Sequence, residues 1–295
     1  MPNTRDIRRR IKSVKNTMQI TKAMQMVAAS KMKKAQDHAL AGRPYAMLLA
    51  DILASLGGMD LTSSNLPLFQ KREVKNRGIL VVSADKGLCG ALNSNLFRYI
   101  TKLEGDCKFV ALGKRGSQFL SRTKRDLMAD FPLSDSAHFS EVRPAVEYML
   151  SAYNDERIDT VEVVYTQFVN TLAQQPEDLI ILPVVDISSM LEDLRTRFKL
   201  QDSVITNDDR EIHFEPDRKQ ILEDLSTIYF KQQIYQLVLE SKASEHSARM
   251  VAMKGATDNA KSLIEDLTLE YNRVRQAAIT QEILEISAAS FSNAS

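Results

Sequence analysis

The chain has two cysteines, Cys89 and Cys107, no tryptophan, and only ten glycines and eight prolines in 295 residues. Two cysteines exclude a disulfide scaffold and a cysteine-rich zinc site. With no tryptophan and aromatics at 6%, a base-stacking surface has little to work with. Glycine and proline together fall to half of the ~12% of ordinary usage. That scarcity argues against an all-β fold with many turns and favours long helices. No apolar run approaches the ~18 residues a membrane helix needs. The N-terminus has no apolar signal-peptide core. The sequence is expected to be soluble and to work at a membrane only through partners.

Apolar residues at 44% and charged residues at 26% supply a core and argue against disorder. At roughly 150 residues per domain the length predicts about two domains, or one with an extended element. The formal net charge is +1, but it is uneven. Residues 1–40 carry a net +8, residues 41–216 a net −5 and residues 217–295 a net −2. A basic first segment points to a partner with negative charge.

From Thr4 to Arg43 there is no proline and Gly42 is the only glycine. Asn3 with Asp6 reads as a capping-box-like start. Ile7, Ile11, Val14 and Met18 recur at helical spacing, as do Met24, Ala28, Met32, Ala35 and Ala39. This narrow apolar seam on a polar helix is how a coiled-coil strand reads. Pro44 interrupts it, and the pattern resumes from Met47 to Leu56 before Gly57-Gly58. A second long helix is expected from Pro216, with Asp217 in its first turn. After Asp217 the only interruption is Gly255. Ile264, Leu267, Tyr271, Val274 and Ala278 form its seam. Ser244, Ala248, Ala252, Ala256 and Ala260 form a small-residue ridge that permits close helix packing. Seventy such residues would span about 105 Å, too long for a compact domain.

Between the helices the period changes. Gly78–Ser83, Lys108–Leu112, Thr160–Phe168 and Leu179–Val185 read as strands. Leu92–Leu103, Ser117–Arg122 and Pro144–Asn154 read as helices, and 59–76 and 187–215 as connecting segments. Strands alternating with helices predict an α/β layer domain at about 76–188. The division expected is a helix over 1–56, an α/β domain with its connections over 57–215, and a helix over 216–295. Because domain termini usually lie close together, the two helices should run antiparallel. Residue 1 then falls opposite about residue 272, with an overhang of roughly 35 Å. Ile279, Ile283, Leu284, Ile286 and Phe291 lie on that overhang and need burial in another protein.

No catalytic constellation stands out. The turn Asp85–Gly90 joins a strand to a helix, where phosphate loops sit, but it matches neither common phosphate motif and reads first as a tight structural turn. Cys89 and Cys107 read as ordinary thiols. His38, His138, His213 and His246 lack metal-ligand spacing and read as scattered surface residues. Arg5, Arg8, Arg9, Arg10, Lys12 and Lys15 could contact phosphates, so a basic coiled-coil nucleic-acid-binding protein is the alternative reading. The apolar seam through that stretch commits one face to packing instead.

Seven stretches carry a resemblance. They are Ile7–Ile11, Ile20–Met24 and Met26–Lys31 near the start, Asp85–Gly90 in the middle, and Ser244–Lys254, Ala256–Asn259 and Tyr271–Glu282 near the end. In that order they resemble the gamma subunit of the F-type ATP synthase, of bacterial type. The resemblance implies an antiparallel coiled coil of the terminal helices with an inserted Rossmann-like α/β domain. It implies a rotor shaft that couples proton flow to ATP synthesis at the beta subunits, with no catalytic residue, cofactor or metal of its own. The implied partners are the alpha and beta subunits, the epsilon subunit and the membrane ring of c subunits, with no nucleic acid. The implied place is the cytoplasmic face of the bacterial inner membrane. By match to the family's motifs, Lys22, Met24, Arg275, Gln276, Thr280 and Glu282 are the expected ring contacts. Three features depart from the family or narrow it. Gly255 stands where a helix former is expected, at about 1 kcal/mol. The cysteine pair of the light-regulated chloroplast form is absent. The first motif begins too close to Met1 for a transit peptide, so a bacterial origin is expected.

Overall fold

The periodic stretch that opens the sequence folds as a helix, α1 (Thr4–Ala41), with Asp6 in its first turn. The computed structural model describes residues 4–56, 67–70, 72–184, 187–198, 215 and 217–293. The expected cap Asn3, the Gly57-Gly58 stop, Pro216 and His213 lie outside them. The chain forms two compact units, Met1–Ala28 with Arg249–Ser295, and Ala29–Ala248.

In the first unit, the start of α1 pairs antiparallel with the end of α7 (Arg218–Asn293). Ile7 is buried, and Ile11, Val14 and Met18 are half-buried, as are Ile264, Leu267, Tyr271 and Val274. The two seams predicted from spacing therefore face inward. Two polar contacts set the register. The Thr21 and Thr257 hydroxyl oxygens lie 2.8 Å apart. Arg8 donates from Nη2 to Tyr271 Oη at 3.3 Å and stacks over that ring, with Cζ 5.7 Å from the centroid. The beginning of α1 thus falls opposite Val274–Arg275, a few residues beyond the expected register. That expectation assumed one unbroken helix from residue 1 to residue 56, and the helix is broken. Ala278, expected in the seam, is exposed.

In the second unit, α1 ends at Ala41 and α2 (Arg43–Ser55) begins after Gly42. Pro44 sits in the first turn of α2, where a missing N–H is harmless. The Ala46 amide bonds the Gly42 carbonyl at 3.0 Å. A short 3₁₀ turn, Pro67–Phe69, precedes the sheet.

The remaining elements run β1 (Arg77–Val82), α3 (Leu92–Thr101), β2 (Cys107–Leu112), α4 (Lys114–Arg122), β3 (Asp126–Phe131), α5 (Phe139–Asn154), β4 (Thr160–Phe168), β5 (Gln174–Leu182) and α6 (Ile187–Phe198). The strands make one sheet in the order β3-β2-β1-β4-β5. The first four are parallel and β5 is antiparallel to β4. This is the expected Rossmann-like layer, with helices on both faces. Leu80, Val82, Val110, Leu112, Val161 and Val163 pack with α2, α5 and the first third of α7. Ile79, Val81, Phe109, Ala111 and Val164 pack with α3 and α4.

Five local expectations are corrected. β3 was not anticipated, because its Asp126 and Asp130 place acids on a half-buried edge strand. β5 begins at Gln174 and holds Pro176, which an edge strand tolerates. α5 begins at Phe139, so Pro144 lies inside it rather than at its start. α6 forms within the stretch read as connecting. Asp217 stands before α7 rather than in its first turn, where its Oδ1 accepts from the Gln220 amide at 2.8 Å, a cap on the helix end.

Candidate partner-binding surface

The six expected contact residues all lie in the first unit. Lys22, Arg275, Gln276, Thr280 and Glu282 are exposed and Met24 is half-buried. They form two groups rather than one. The Thr21–Thr257 pairing sets Lys22 and Met24 beside the Gly255 region. Arg275 to Glu282 lie about 30 Å further along α7 at the helical rise, at and past the end of its partner. Thr280 Oγ1 donates to the Gln276 carbonyl at 2.9 Å, which holds its hydroxyl against the helix. Past Val274 every residue to Ser287 is exposed. Ile279, Ile283, Leu284 and Ile286 stand 43%, 57%, 64% and 70% accessible. Four large aliphatic side chains within eight residues of one helix make an apolar tip with no cover in this chain among the described residues. The side chain of Phe291, counted with them from sequence, lies outside the described residues.

The second unit is built differently. Within the second unit, α1 from Ala29 and α7 up to Ala248 pack at the end of the sheet where the parallel strands point their carboxyl ends. On α7 the seven residues Ser241–Ser247 are all buried. Lys242 and Glu245, at 2% and 3% exposure, form an ion pair of 2.9 Å one turn apart. Around them, the Phe168 amide donates to Glu240 Oε1 at 3.2 Å. Ser247 Oγ donates to the Thr171 carbonyl at 2.9 Å. His246 Nε2 lies 3.4 Å from the Asp135 carbonyl oxygen. His246 is therefore buried, not a surface residue as expected, whereas His38 and His138 are exposed.

Asp135, in the loop after β3, is the hub of this region. Its Oδ2 accepts from Lys31 Nζ of α1 at 2.6 Å and from Lys86 Nζ of the loop after β1 at 2.8 Å. Burial alone would push this carboxyl up. The hydrogen bonds and charges of the two lysines outweigh burial and hold it well below the usual carboxylate range.

The turn Asp85–Gly90 is structural. Asp85 Oδ1 accepts from the Lys114 amide at 2.7 Å, which places a carboxylate at the positive end of α4. Leu88 holds a φ of 62° and Gly90 one of 61°. Leu88 thus takes a left-handed conformation that a side chain opposes. Next to the turn, Gly113 permits a close approach that no other residue would. At φ +107° its added Cβ would meet the Ser83 carbonyl oxygen at 2.3 Å. Cys89 is buried and receives the Asn93 amide at 3.4 Å. Burial pushes the Cys107 thiol up, away from thiolate reactivity. Among the described residues no group of three or more His, Cys, Asp or Glu could hold a metal.

The family model described as ATP synthase matches residues 3–291. The ATP synthase gamma chain of Opitutus terrae is 51% identical, with each chain covered in full. That of Methylacidiphilum infernorum is 44% identical over 99% of each.

This chain belongs to the ATP synthase gamma chain family.

Solved rotors share the fold of this gamma-family chain. In Euglena gracilis mitochondrial ATP synthase the matching chain has a TM-score of 0.65 at 19% identity, covering 98% of this chain and 94% of that one. In the central stalk and c-ring of the Tetrahymena thermophila enzyme the TM-score is 0.59 at 25% identity, over 80% and 99%. As a gamma chain it is a central-stalk subunit of ATP synthase. No described helix is long and apolar enough to cross a membrane.

The helical placement of the six expected contact residues was legible because they sit in contiguous helical motifs. The hub around Asp135 was missed, since Lys31, Lys86, Asp135 and His246 come from distant parts of the chain. The one local signal was the Lys242–Glu245 spacing of one helical turn.

Proposed function

We propose that the chain is a non-catalytic torque shaft that links proton flow in the membrane sector to ATP synthesis on the beta subunits. Helices 1–56 and 216–295 are its shaft, and residues 57–215 its foot beside the epsilon subunit and the c ring. The alpha and beta subunits surround the shaft on the cytoplasmic face of the bacterial inner membrane. The membrane is reached only through partners. Lys22 and Met24 touch the ring at one level. Arg275, Gln276, Thr280 and Glu282 touch it at a second level, near the tip.

The observation that carries this reading is the apolar tip. Ile279, Ile283, Leu284 and Ile286 extend past the end of the partner helix with no cover among the described residues. Apolar attraction has no preferred direction. A sleeve of apolar side chains can therefore hold such a tip without fixing its angle. The polar residues below it offer directional hydrogen bonds, which can favour some angles over others. Torque then needs a firm foot, and the buried belt of α7 with the Lys31–Asp135–Lys86 hub supplies one.

Removal of residues 272–295 tests the reading. The truncated chain should assemble poorly with the alpha and beta subunits, or assemble with ATP hydrolysis uncoupled from proton pumping. Its sheet should stay folded, as read by circular dichroism and hydrogen exchange. Full coupling after that truncation would refute the tip's role.

A further inference from the structure

Two neighbouring helices of the second unit, α3 and α4, carry charge of a single sign. Neither contains an acid, whereas Arg98, Lys114, Arg115 and Arg122 all stand exposed on them. Lys102 and Lys124, just past their ends, are exposed as well. None of the six makes an ion pair among the described residues. Leu92, Leu96 and Ile100 of α3 and Leu120 of α4 are buried against the sheet. At 3.6 residues per turn, Arg98, Arg115, Gln118 and Arg122 therefore point the other way. Residues 41–216 as a whole carry a net −5, so this basic face is a local exception.

The helix dipole explains part of this. Bases at the carboxyl ends, Arg98, Lys102, Arg122 and Lys124, complement the partial negative charge there. Lys114 and Arg115 do the reverse, for they stand in the first turn of α4, at its positive end. Asp85 answers that end through the Lys114 amide, yet both basic side chains remain exposed. A placement that opposes the local helix points to a use outside it. Glu104, Asp106, Asp126 and Asp130 are nearby, but they lie in the α3–β2 loop and on β3 rather than on the helices.

The rest of the face selects among anions. No large apolar side chain is exposed on either helix, so there is nothing to insert into a bilayer. Phe97 and Phe119 stack on each other with centroids 4.3 Å apart, and Tyr99 donates to Asp178. No ring is left to receive a base. Ser94, Thr101, Gln118 and Ser121 stand exposed between the bases. Such a charged and polar surface fits carboxylates, which take paired hydrogen bonds from arginine.

We propose that the α3–α4 face docks an acidic segment of a protein partner within the ATP synthase, held by Arg98 and Arg122 at one end and Arg115 at the other. The two ends lie about 10 Å apart along α4 at the helical rise. Two carboxylates about two turns apart on a partner helix would meet both. The docking needs this chain to be a subunit of ATP synthase, and nothing of how the shaft transmits torque.

The test uses the assembled, purified ATP synthase with Gln118→p-benzoylphenylalanine, a photo-crosslinking residue, in this chain. Irradiation should join Gln118's position to a peptide of another subunit that is rich in Asp and Glu, read by mass spectrometry. Arg98→Glu with Arg122→Glu should cut the adduct roughly fivefold or more. Arg98→Lys with Arg122→Lys should keep most of it. Lys219→Glu, an exposed charge near the start of α7 in the same unit, should leave it unchanged. ATP hydrolysis by each purified enzyme reports assembly. If the double reversal does not assemble, Arg98→Gln with Arg122→Gln takes its place and should cut the adduct roughly threefold. The proposal is overturned by the absence of an adduct, by an adduct to lipid, nucleic acid or a peptide without acids, or by an adduct that the charge changes leave unmoved.

Discussion

The Lys31 ammonium lies 2.6 Å from Oδ2 of Asp135, a residue 104 positions away in the chain. The same oxygen receives Lys86 at 2.8 Å. One carboxylate therefore ties the base of the first helix to two loops of the sheet.

Asp135→Asn should destabilise the second unit by about 1–2 kcal/mol at pH 7, because two cations lose their shared partner. The folded carboxyl titrates below its unfolded value. Its contribution is therefore present above about pH 4 and is lost as pH falls below that. Urea unfolding at pH 7 and pH 3 should show a larger acid loss in the wild type than in D135N. Equal losses would mean the ion pairs do not persist in solution.

Thr21 and Thr257 bring their hydroxyl oxygens to 2.8 Å. The double variant T21C/T257C, with Cys89 and Cys107 replaced by serine, should form a disulfide under mild oxidation. A non-reducing gel would display the faster band. A cross-link within the shaft should leave rotary ATP hydrolysis in the assembled enzyme largely intact. Failure to oxidise would contradict the register.

Gly255 has open space where a Cβ would stand, with nothing within 4 Å. Only helix propensity is at stake there. Gly255→Ala should stabilise the helix pair by about 0.5–1 kcal/mol, read as slower amide exchange at residues around 255. A loss of stability would indicate a contact that this geometry lacks.

Lys242→Met should cost about 3 kcal/mol, since it leaves Glu245 buried and without its ammonium partner. Adding Glu245→Gln should recover most of that loss. Chemical denaturation of the two variants measures both values. A double variant as weak as the single would show that the pair serves more than its own charges.

Much of this fold was legible from residue order. β1 and β2 are short apolar runs of strand length, β4 alternates as a strand does, and the spacing of Ile264 to Val274 fixed one face of α7. β3 escaped because an edge strand half in water carries acids like any loop. The start of α5 escaped because Pro144 read as its boundary, and that of β5 because Gln174–Asp178 is polar and holds Pro176. The apolar tip was visible because no partner helix reaches it, a matter of counting residues. The hub was invisible because chain separation hides which lysine meets which aspartate.

The stretch Ser241–Ser247 is enclosed on every side by its own chain, whereas Gln276–Ser287 faces outward throughout. The two stretches therefore answer to different judges. A random library screened for folding of the free subunit should purge nearly all changes in the first and pass most in the second. Screened for growth by respiration, the same library should purge the second as well. The difference between the two screens would map the fitness this helix owes to its neighbours, residue by residue, apart from what it owes to its own fold.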